Sequence, residues 1–269
     1  MISSVKAVVE QLGRDRLDGL PLSDADRMLK VPGTVNSAVG YDIQFQLAAW
    51  LTAHGQGALA GYKIGATAKG MQEALGVPGP VYGHVLSGNV LTPGASFSCN
   101  PECCPGVECE IAFRLAEDLR PQSKPHDRNS VAVAIDAVLP TIEIVENRYG
   151  NYRACSLALL TADDFFHKAC VIGEPVTGWR DLDLKSSQGC LVRDGDPAEI
   201  GVGSDVLGDP LNVVVWLANK LAERGEGLKA GQIISTGSMT PVHWIDNLPA
   251  RIDIRIDGVG TSAVVLVEA

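Results

Sequence analysis

Three glutamates carry the clearest chemical signal in this chain. Residues 107–115 alternate as a strand does, with Cys109, Ile111 and Phe113 on one side and Glu108, Glu110 and Ala112 on the other. Side chains repeat every second residue along a strand, so Glu108 and Glu110 project from the same face. Two such carboxylates repel, and burying them is costly unless a cation neutralises them. Glu143 stands on a second alternating run, residues 140–145, where Ile142 and Ile144 oppose Thr141, Glu143 and Val145. Three hard oxygen donors with open coordination positions suit Mg²⁺ or Mn²⁺ better than zinc. The same pattern also fits a solvated strand face that binds nothing, and both readings stand at this point. Lys63, in Gly61-Tyr62-Lys63-Ile64-Gly65, occupies a glycine-flanked run where backbone can approach a ligand closely. Its alternative is a plain surface lysine.

The elements that must position these residues follow from periodicity. Residues 3–17 carry Val5, Val8, Val9 and Leu12 at helical spacing, and Leu20-Pro21-Leu22-Ser23 breaks the pattern. A second helix is expected over 37–54, with Ala38, Ile43, Phe45, Leu47 and Leu51 on its apolar face and Gly55-Gln56-Gly57 closing it. From Gly61 onward, Gly and Pro punctuate short β-branched runs, the pattern of a strand-rich domain. Between the two glutamate strands, residues 130–139 read as a helix with Ser130 as N-cap. Residues 211–224 form the clearest late helix, stopped by Gly225. The tail reads as a hairpin turning at Asp257-Gly258. The expected organisation is a helical N-terminal region, 1–60, and a metal-binding catalytic domain, 61–269.

Composition removes several function classes. A net charge of −10 over 269 residues argues against a nucleic-acid partner, which needs a basic stripe. It leaves room for a small anionic substrate, because one bound cation inverts the local field. No apolar run has the length of a membrane span, and the N-terminus lacks a signal-peptide pattern. Seven cysteines without an export signal read as reduced thiols of a cytoplasmic protein.

A series of segments, in order, resembles the hydratase/decarboxylase branch of the fumarylacetoacetate hydrolase superfamily. They are Gly61-Tyr62-Lys63-Ile64-Gly65-Ala66-Thr67, Met71-Gln72, Pro80-Val81-Tyr82-Gly83, Val107-Glu108-Cys109-Glu110-Ile111-Ala112-Phe113 and Ile142-Glu143-Ile144-Val145-Glu146-Asn147-Arg148. Gly208-Asp209-Pro210-Leu211-Asn212 into Trp216-Leu217-Ala218, Leu228-Lys229-Ala230-Gly231-Gln232-Ile233-Ile234 and Thr236-Gly237-Ser238 complete it, covering about 34–269. The resemblance implies an α+β chain whose catalytic domain is a strongly curved mixed β-sheet of fumarylacetoacetate-hydrolase type. It implies Mg²⁺ or Mn²⁺ on Glu108, Glu110 and Glu143, a catalytic Lys63 and a homo-oligomer. Substrate contacts are expected from Val81, Tyr82, Ser238 and Thr240, with a plain turn as the alternative for the last two.

The implied activity is that of a metal-dependent lyase on a small unsaturated 2-keto acid, as in aromatic catabolism. Hydration of a 2-hydroxypenta-2,4-dienoate-type compound is placed first and decarboxylation of a 4-oxalocrotonate-like 2-keto diacid second. Hydrolysis of an acylpyruvate and a non-catalytic binding role stand behind them. The metal polarises the chelated 2-keto oxygen, and a lysine whose pKa is depressed by the metal and apolar walls carries the proton.

Three places depart from the family pattern. Val81 stands where hydratases of the branch usually have an acidic residue. Ala162-Asp163-Asp164-Phe165-Phe166-His167 replaces the common Ala-Asp-Asn-Ala-Ser with bulkier, aromatic residues. Ser238-Met239-Thr240-Pro241 lacks the arginine of Ser-Phe-Thr-Arg-Pro.

Other signals have plain structural alternatives. Cys99, Cys103, Cys104 and Cys109 cluster in sequence without a Cys-x-x-Cys pair, which fits zinc poorly. Gly201-Val202-Gly203 starts like a dinucleotide fingerprint, but Val206 takes the place of the third glycine. His84 and His167 are candidates for the pocket or for structural roles, and Glu146 with Arg148 is expected as a structural pair.

Overall fold

The computed structural model describes residues 5–22 and 37–269. Two helices come first, α1 (Val5–Leu17) and α2 (Ser37–Leu51). The expected helix start at Ser3 and the Ser23 end of the break lie outside the described residues. Val8, Val9 and Leu12 of α1 pack with Ile43, Leu47 and Leu51 of α2 in an apolar cluster that also takes in Leu86, Leu159 and Ala162. A wide turn at Thr52–Gln56 ends α2, and Gly55 and Gly57 in or after it have positive φ.

The site rests on a curled half-barrel sheet whose neighbours are far apart in sequence. Its strands are β1 (Leu59–Gly65), β2 (Val81–Leu86), β3 (Val90–Leu91), β5 (Pro105–Leu115), β6 (Ile135–Glu146), β7 (His167–Ile172) and β10 (Ile233–Ser238). They lie in the order β2-β1-β10-β5-β6-β7-β3, and the short β11 (His243–Trp244) also pairs with β5. The β1–β10 and β3–β7 pairs are parallel and the others antiparallel, so the sheet is mixed. A second sheet, β4-β13-β12-β8-β9, is built from β4 (Ala95–Cys99), β8 (Gln188–Arg193), β9 (Asp196–Val202), β12 (Ala250–Ile256) and β13 (Gly260–Glu268). It covers the Cys109 face of β5: a Cβ on Gly189 of β8 would lie 3.1 Å from the Cys109 sulfur. The curved mixed sheet expected from the resemblance is therefore present.

The tail hairpin follows its alternation, with Ile252, Ile254 and Ile256 buried against Val264 and Leu266 and Gly258 at positive φ in the turn. The late helix also follows the reading: Pro210–Ala222 is capped by the Asp209 carboxylate, which accepts from Leu211 N at 2.9 Å.

The segment between the glutamate strands departs from expectation. Its helix is short, Arg128–Ala134, and Asp127 rather than Ser130 is the N-cap. Ser130 is the third residue of a capping box, with the Asp127 N–H donating to its hydroxyl at 3.0 Å. From Ile135 the chain is already strand, because Ile135 to Leu139 extend the ladder with β5 as far as Leu115. Cross-strand pairing over that length overrides a locally helical pattern. Among the described residues no helix is long and apolar enough to cross a membrane.

Candidate active site

Neighbouring strands bring the expected residues into one row. Lys63 of β1 pairs with Ser235 of β10, Ser235 pairs with Ala112 of β5, and Glu108 of β5 stands opposite Glu143 of β6. Glu110 and Glu143 are fully buried, so this strand face is not a solvated one. One oxygen from each of Glu108, Glu110 and Glu143 lies within 4.8 Å of the others.

Two bulges shape the row. On β10, Ser235 to Ser238 spans three residues against two on β5, from Ala112 to Glu110. The irregularity turns the Gly237 N–H toward Glu110 Oε2 at 3.1 Å, and the Ser235 hydroxyl donates to the same oxygen. Gly237 has φ of 96°, and a Cβ there would meet Thr67 Oγ1 at 2.6 Å, so glycine is required. Between β6 and β7, Val145 pairs with His167 although Ile144 pairs with Ala169. That extra residue lets His167 Nδ1 reach Glu143 Oε1 at 2.7 Å. Bulges of this kind re-aim side chains beside active sites.

Electrostatics show what the arrangement lacks without a cation. Burial pushes the Glu108 carboxyl up to about 7, with the Glu143 charge adding to it and Lys63 opposing. Glu110 is raised well above the usual range by burial and by Glu143 and Glu108. Burial also acts on Glu143, but Lys63 and His167 outweigh it and hold that carboxyl below its ordinary value. Glu110 Oε1 and Glu143 Oε2 are buried without a hydrogen-bond partner. Orphaned oxygens among crowded carboxylates fit a hard divalent cation, and the all-oxygen donor set suits such an ion.

Lys63 is buried, with Nζ 3.2 Å from Glu143 Oε1 and donating to the Phe165 carbonyl at 2.9 Å. Burial lowers its pKa, but in the metal-free site Glu143, Glu108 and Glu110 outweigh burial and raise it; the depressed value expected for it belongs to the metal-loaded site.

Above this row lies a cavity of about 120 Å³. Lys63, Glu108, Ser238 and Thr240 line it, together with Phe165 and Phe166 from the altered segment. Met71, Leu75, Tyr152, Val242 and Trp244 form apolar walls. Two expected substrate contacts lie elsewhere. Val81 belongs to the apolar core opposite Gly65, and Tyr82 is stacked on Tyr41 at 4.3 Å between ring centroids, with Tyr62 and Trp216 beside it. Strand alternation cannot tell the cavity face from the core here, because β2 is buried along its whole length.

His84 also misses the cavity lining, and its Nδ1 lies 3.2 Å from Asp164 Oδ1. Glu146 and Arg148 do not pair with each other. Glu146 meets Lys168 at 3.2 Å, and Arg148 meets Asp163 at 2.6 Å. Cys99, Cys103, Cys104, Cys109, Cys170 and Cys190 are free thiols, and among the described residues no cysteine joins a metal-ligating cluster.

Sequence reasoning missed the Ser235 and Gly237 donors and the Phe165 carbonyl. The glycine in Thr236-Gly237-Ser238 was a visible signal for the first, whereas a backbone carbonyl has no signature in residue type.

No family model matches the chain. A 4-oxalocrotonate decarboxylase of Pseudomonas sp. (strain CF600) is 30% identical over 250 residues, covering 92% of each chain. A 2-hydroxyhexa-2,4-dienoate hydratase of Comamonas testosteroni is 35% identical over 214 residues, covering 77% of this chain and 78% of its own. Among solved structures, a 4-oxalocrotonate decarboxylase from Pseudomonas putida G7, complexed with magnesium and adipate, superposes with a TM-score of 0.88 at 27% identity. The match covers 98% of this chain and 97% of that one.

Proposed function

The chain belongs to the 2-keto-4-pentenoate hydratase/4-oxalocrotonate decarboxylase branch of the fumarylacetoacetate hydrolase superfamily, and from that premise we propose that it hydrates a small 2-hydroxydienoate monoacid, with Mg²⁺ or Mn²⁺ held by Glu108, Glu110 and Glu143. When bound, the cation supplies a Lewis acid for the 2-oxygen and neutralises the carboxylates that crowd Lys63. The remaining work falls to the chain's own groups. Lys63 donates a proton to the far carbon, C5, of the dienol and takes up the proton that the 2-hydroxyl releases, giving an α,β-unsaturated ketone. Water then adds its oxygen at C4, and its surplus proton passes by way of Lys63 to C3. Ser238 and Thr240 hydrogen-bond the substrate carboxylate, and the aromatic pair Phe165 and Phe166 excludes bulk water.

The character of the cavity carries the choice of reaction. Among the described residues, Lys63 is the one cationic side chain lining it, and the far walls are apolar. A diacid's second carboxylate would find no second cation among these residues, only the neutral donors Thr67, Tyr152 and Trp244, and an unpaired buried charge is costly. A monoacid with a short hydrocarbon tail meets no such penalty. The second reading, decarboxylation, draws on the same largely apolar lining, because a pocket that excludes water also suits loss of CO₂.

One experiment separates them. With Mg²⁺ present, 2-hydroxypenta-2,4-dienoate should yield 4-hydroxy-2-oxopentanoate, while 2-oxohex-3-enedioate should release no CO₂. CO₂ from the diacid with no hydration of the monoacid would overturn the first reading in favour of the second. The proposed assembly is a homo-oligomer, read by light scattering, and the proposed compartment is the reducing cytoplasm, where free thiols such as Cys99, Cys103 and Cys109 persist.

A further inference from the structure

The turn that follows the helix Leu157–Ala162 is strained at three consecutive non-glycine residues. Asp164, Phe165 and Phe166 have φ of 52°, 51° and 70°. Aspartate tolerates the left-handed region, but bulky aromatic residues do not, so the surroundings must hold this backbone in place. The turn matters to the site because the Phe165 carbonyl accepts from Lys63 Nζ at 2.9 Å, and the Phe165 ring lies 5.5 Å from that ammonium.

Arg16, near the end of α1, grips the turn at both acidic residues. Its Nε donates to Asp163 Oδ1 at 2.8 Å, one terminal nitrogen donates to Asp164 Oδ2 at 2.7 Å, and the other donates to the Asp163 carbonyl. Arg148 and Tyr149 hold Asp163 alone, at 2.6 Å and 2.9 Å. From the other side, Asp164 Oδ1 accepts from the His84 N–H at 2.9 Å. His84 belongs to β2, the strand paired with β1 beside Lys63. The turn is thus stapled between the N-terminal helix and the strand next to the site.

We propose that Arg16 is a positioning residue for Lys63, acting through the 163–166 turn and the Phe165 carbonyl. The inference rests on the reading of Lys63 as the proton carrier. It makes the first helix part of the active-site support rather than an appendage to the catalytic sheet. A lysine at position 16 could not reproduce the fork, because a single ammonium cannot span Asp163 Nε-side and Asp164 contacts together.

The test is steady-state kinetics of Arg16→Ala and Arg16→Lys with Mg²⁺ and 2-hydroxypenta-2,4-dienoate, alongside Mg²⁺ calorimetry. Both variants should lose about tenfold or more in kcat, with KM and Mg²⁺ affinity within about twofold of wild type, the pattern of a group that acts in the transition state. In a Lys63→Met background the Arg16→Ala change should cost under about twofold, because its route to the chemistry is gone. Should Arg16→Ala fail to fold, Asp164→Asn decides. Asparagine accepts the left-handed backbone and the His84 N–H, yet loses the charge Arg16 grips, and the same kcat loss is expected. Wild-type kcat in these variants beside a crippled Lys63→Met, equal losses in both backgrounds, or a parallel collapse of Mg²⁺ affinity would overturn the proposal. Wild-type turnover in Lys63→Met would instead remove the reading on which it rests.

Discussion

Glu143 stands directly across the β5–β6 ladder from Glu108, two carboxylates facing one another on a covered strand face. Like charges placed directly opposite destabilise a sheet, and burial compounds the cost. The fold tolerates the pair because Lys63 and His167 lie against Glu143, while the neighbouring Glu110 has Ser235 and Gly237 as donors.

Glu110→Gln should leave metal-free stability within about 1 kcal/mol of wild type or raise it, since burial and its neighbours already disfavour the charged carboxylate and the amide keeps an acceptor for Gly237. Thermal melting in EDTA reads this. A loss of more than about 3 kcal/mol, the scale of breaking a favourable buried pair, would mean that the carboxylate is stabilising by itself.

Lys63→Met should lower turnover by about a hundredfold or more, the scale of losing a general acid/base. Mg²⁺ affinity should hold or increase, because the ammonium 3.2 Å from Glu143 competes for the same carboxylate. Near-wild-type turnover would assign the lysine a purely structural role.

Asp164 predicts an acid sensitivity. Burial alone would raise its pKa, but the Arg16 guanidinium and then His84 outweigh burial and hold the carboxyl well below the usual range. A depressed folded-state pKa means that the contribution is fully present above the unfolded value of about 3.9 and is lost as pH falls toward the folded one. Asp164→Asn should therefore be less stable than wild type by about 3 kcal/mol near neutral pH, with the gap narrowing below about pH 4. Urea melts at pH 7 and pH 3 check it, and a gap that widens in acid would contradict the assignment.

Much of this architecture was legible in residue types. Alternation placed Glu108 and Glu110 on one strand face, the tail hairpin turned at Asp257-Gly258, and the late helix expected over 211–224 is found at Pro210–Ala222. Other features were not legible, for physical reasons. Ile135 to Leu139 read locally as helix, yet their conformation is decided by pairing with β5, a partner twenty or more positions away. Val81 and Tyr82 alternate normally, but a strand buried on both faces hides which side meets the cavity. The raised pKa of Lys63 depends on three carboxylates gathered from two other strands. Arg16 carried no signal at all, since its partners lie 147 and 148 residues away.

Gly237→Ala should lower stability by about 1–3 kcal/mol, because its φ of 96° and the Thr67 hydroxyl 2.6 Å from the added Cβ both resist the side chain. The Gly237 N–H would move off Glu110, so Mg²⁺ affinity should fall as well. Denaturant melts and calorimetry on the same sample check both, and an unchanged variant would show that the bulge can relax.

If Glu108, Glu110 and Glu143 hold the cation as proposed, an Mg²⁺ titration by calorimetry will read their loss. Wild-type protein stripped with EDTA should bind one ion per chain, and the Glu108→Gln/Glu110→Gln double variant, still folded by circular dichroism, should show no measurable binding and no Mg²⁺-dependent turnover. Undiminished Mg²⁺ affinity in that double variant would contradict the account.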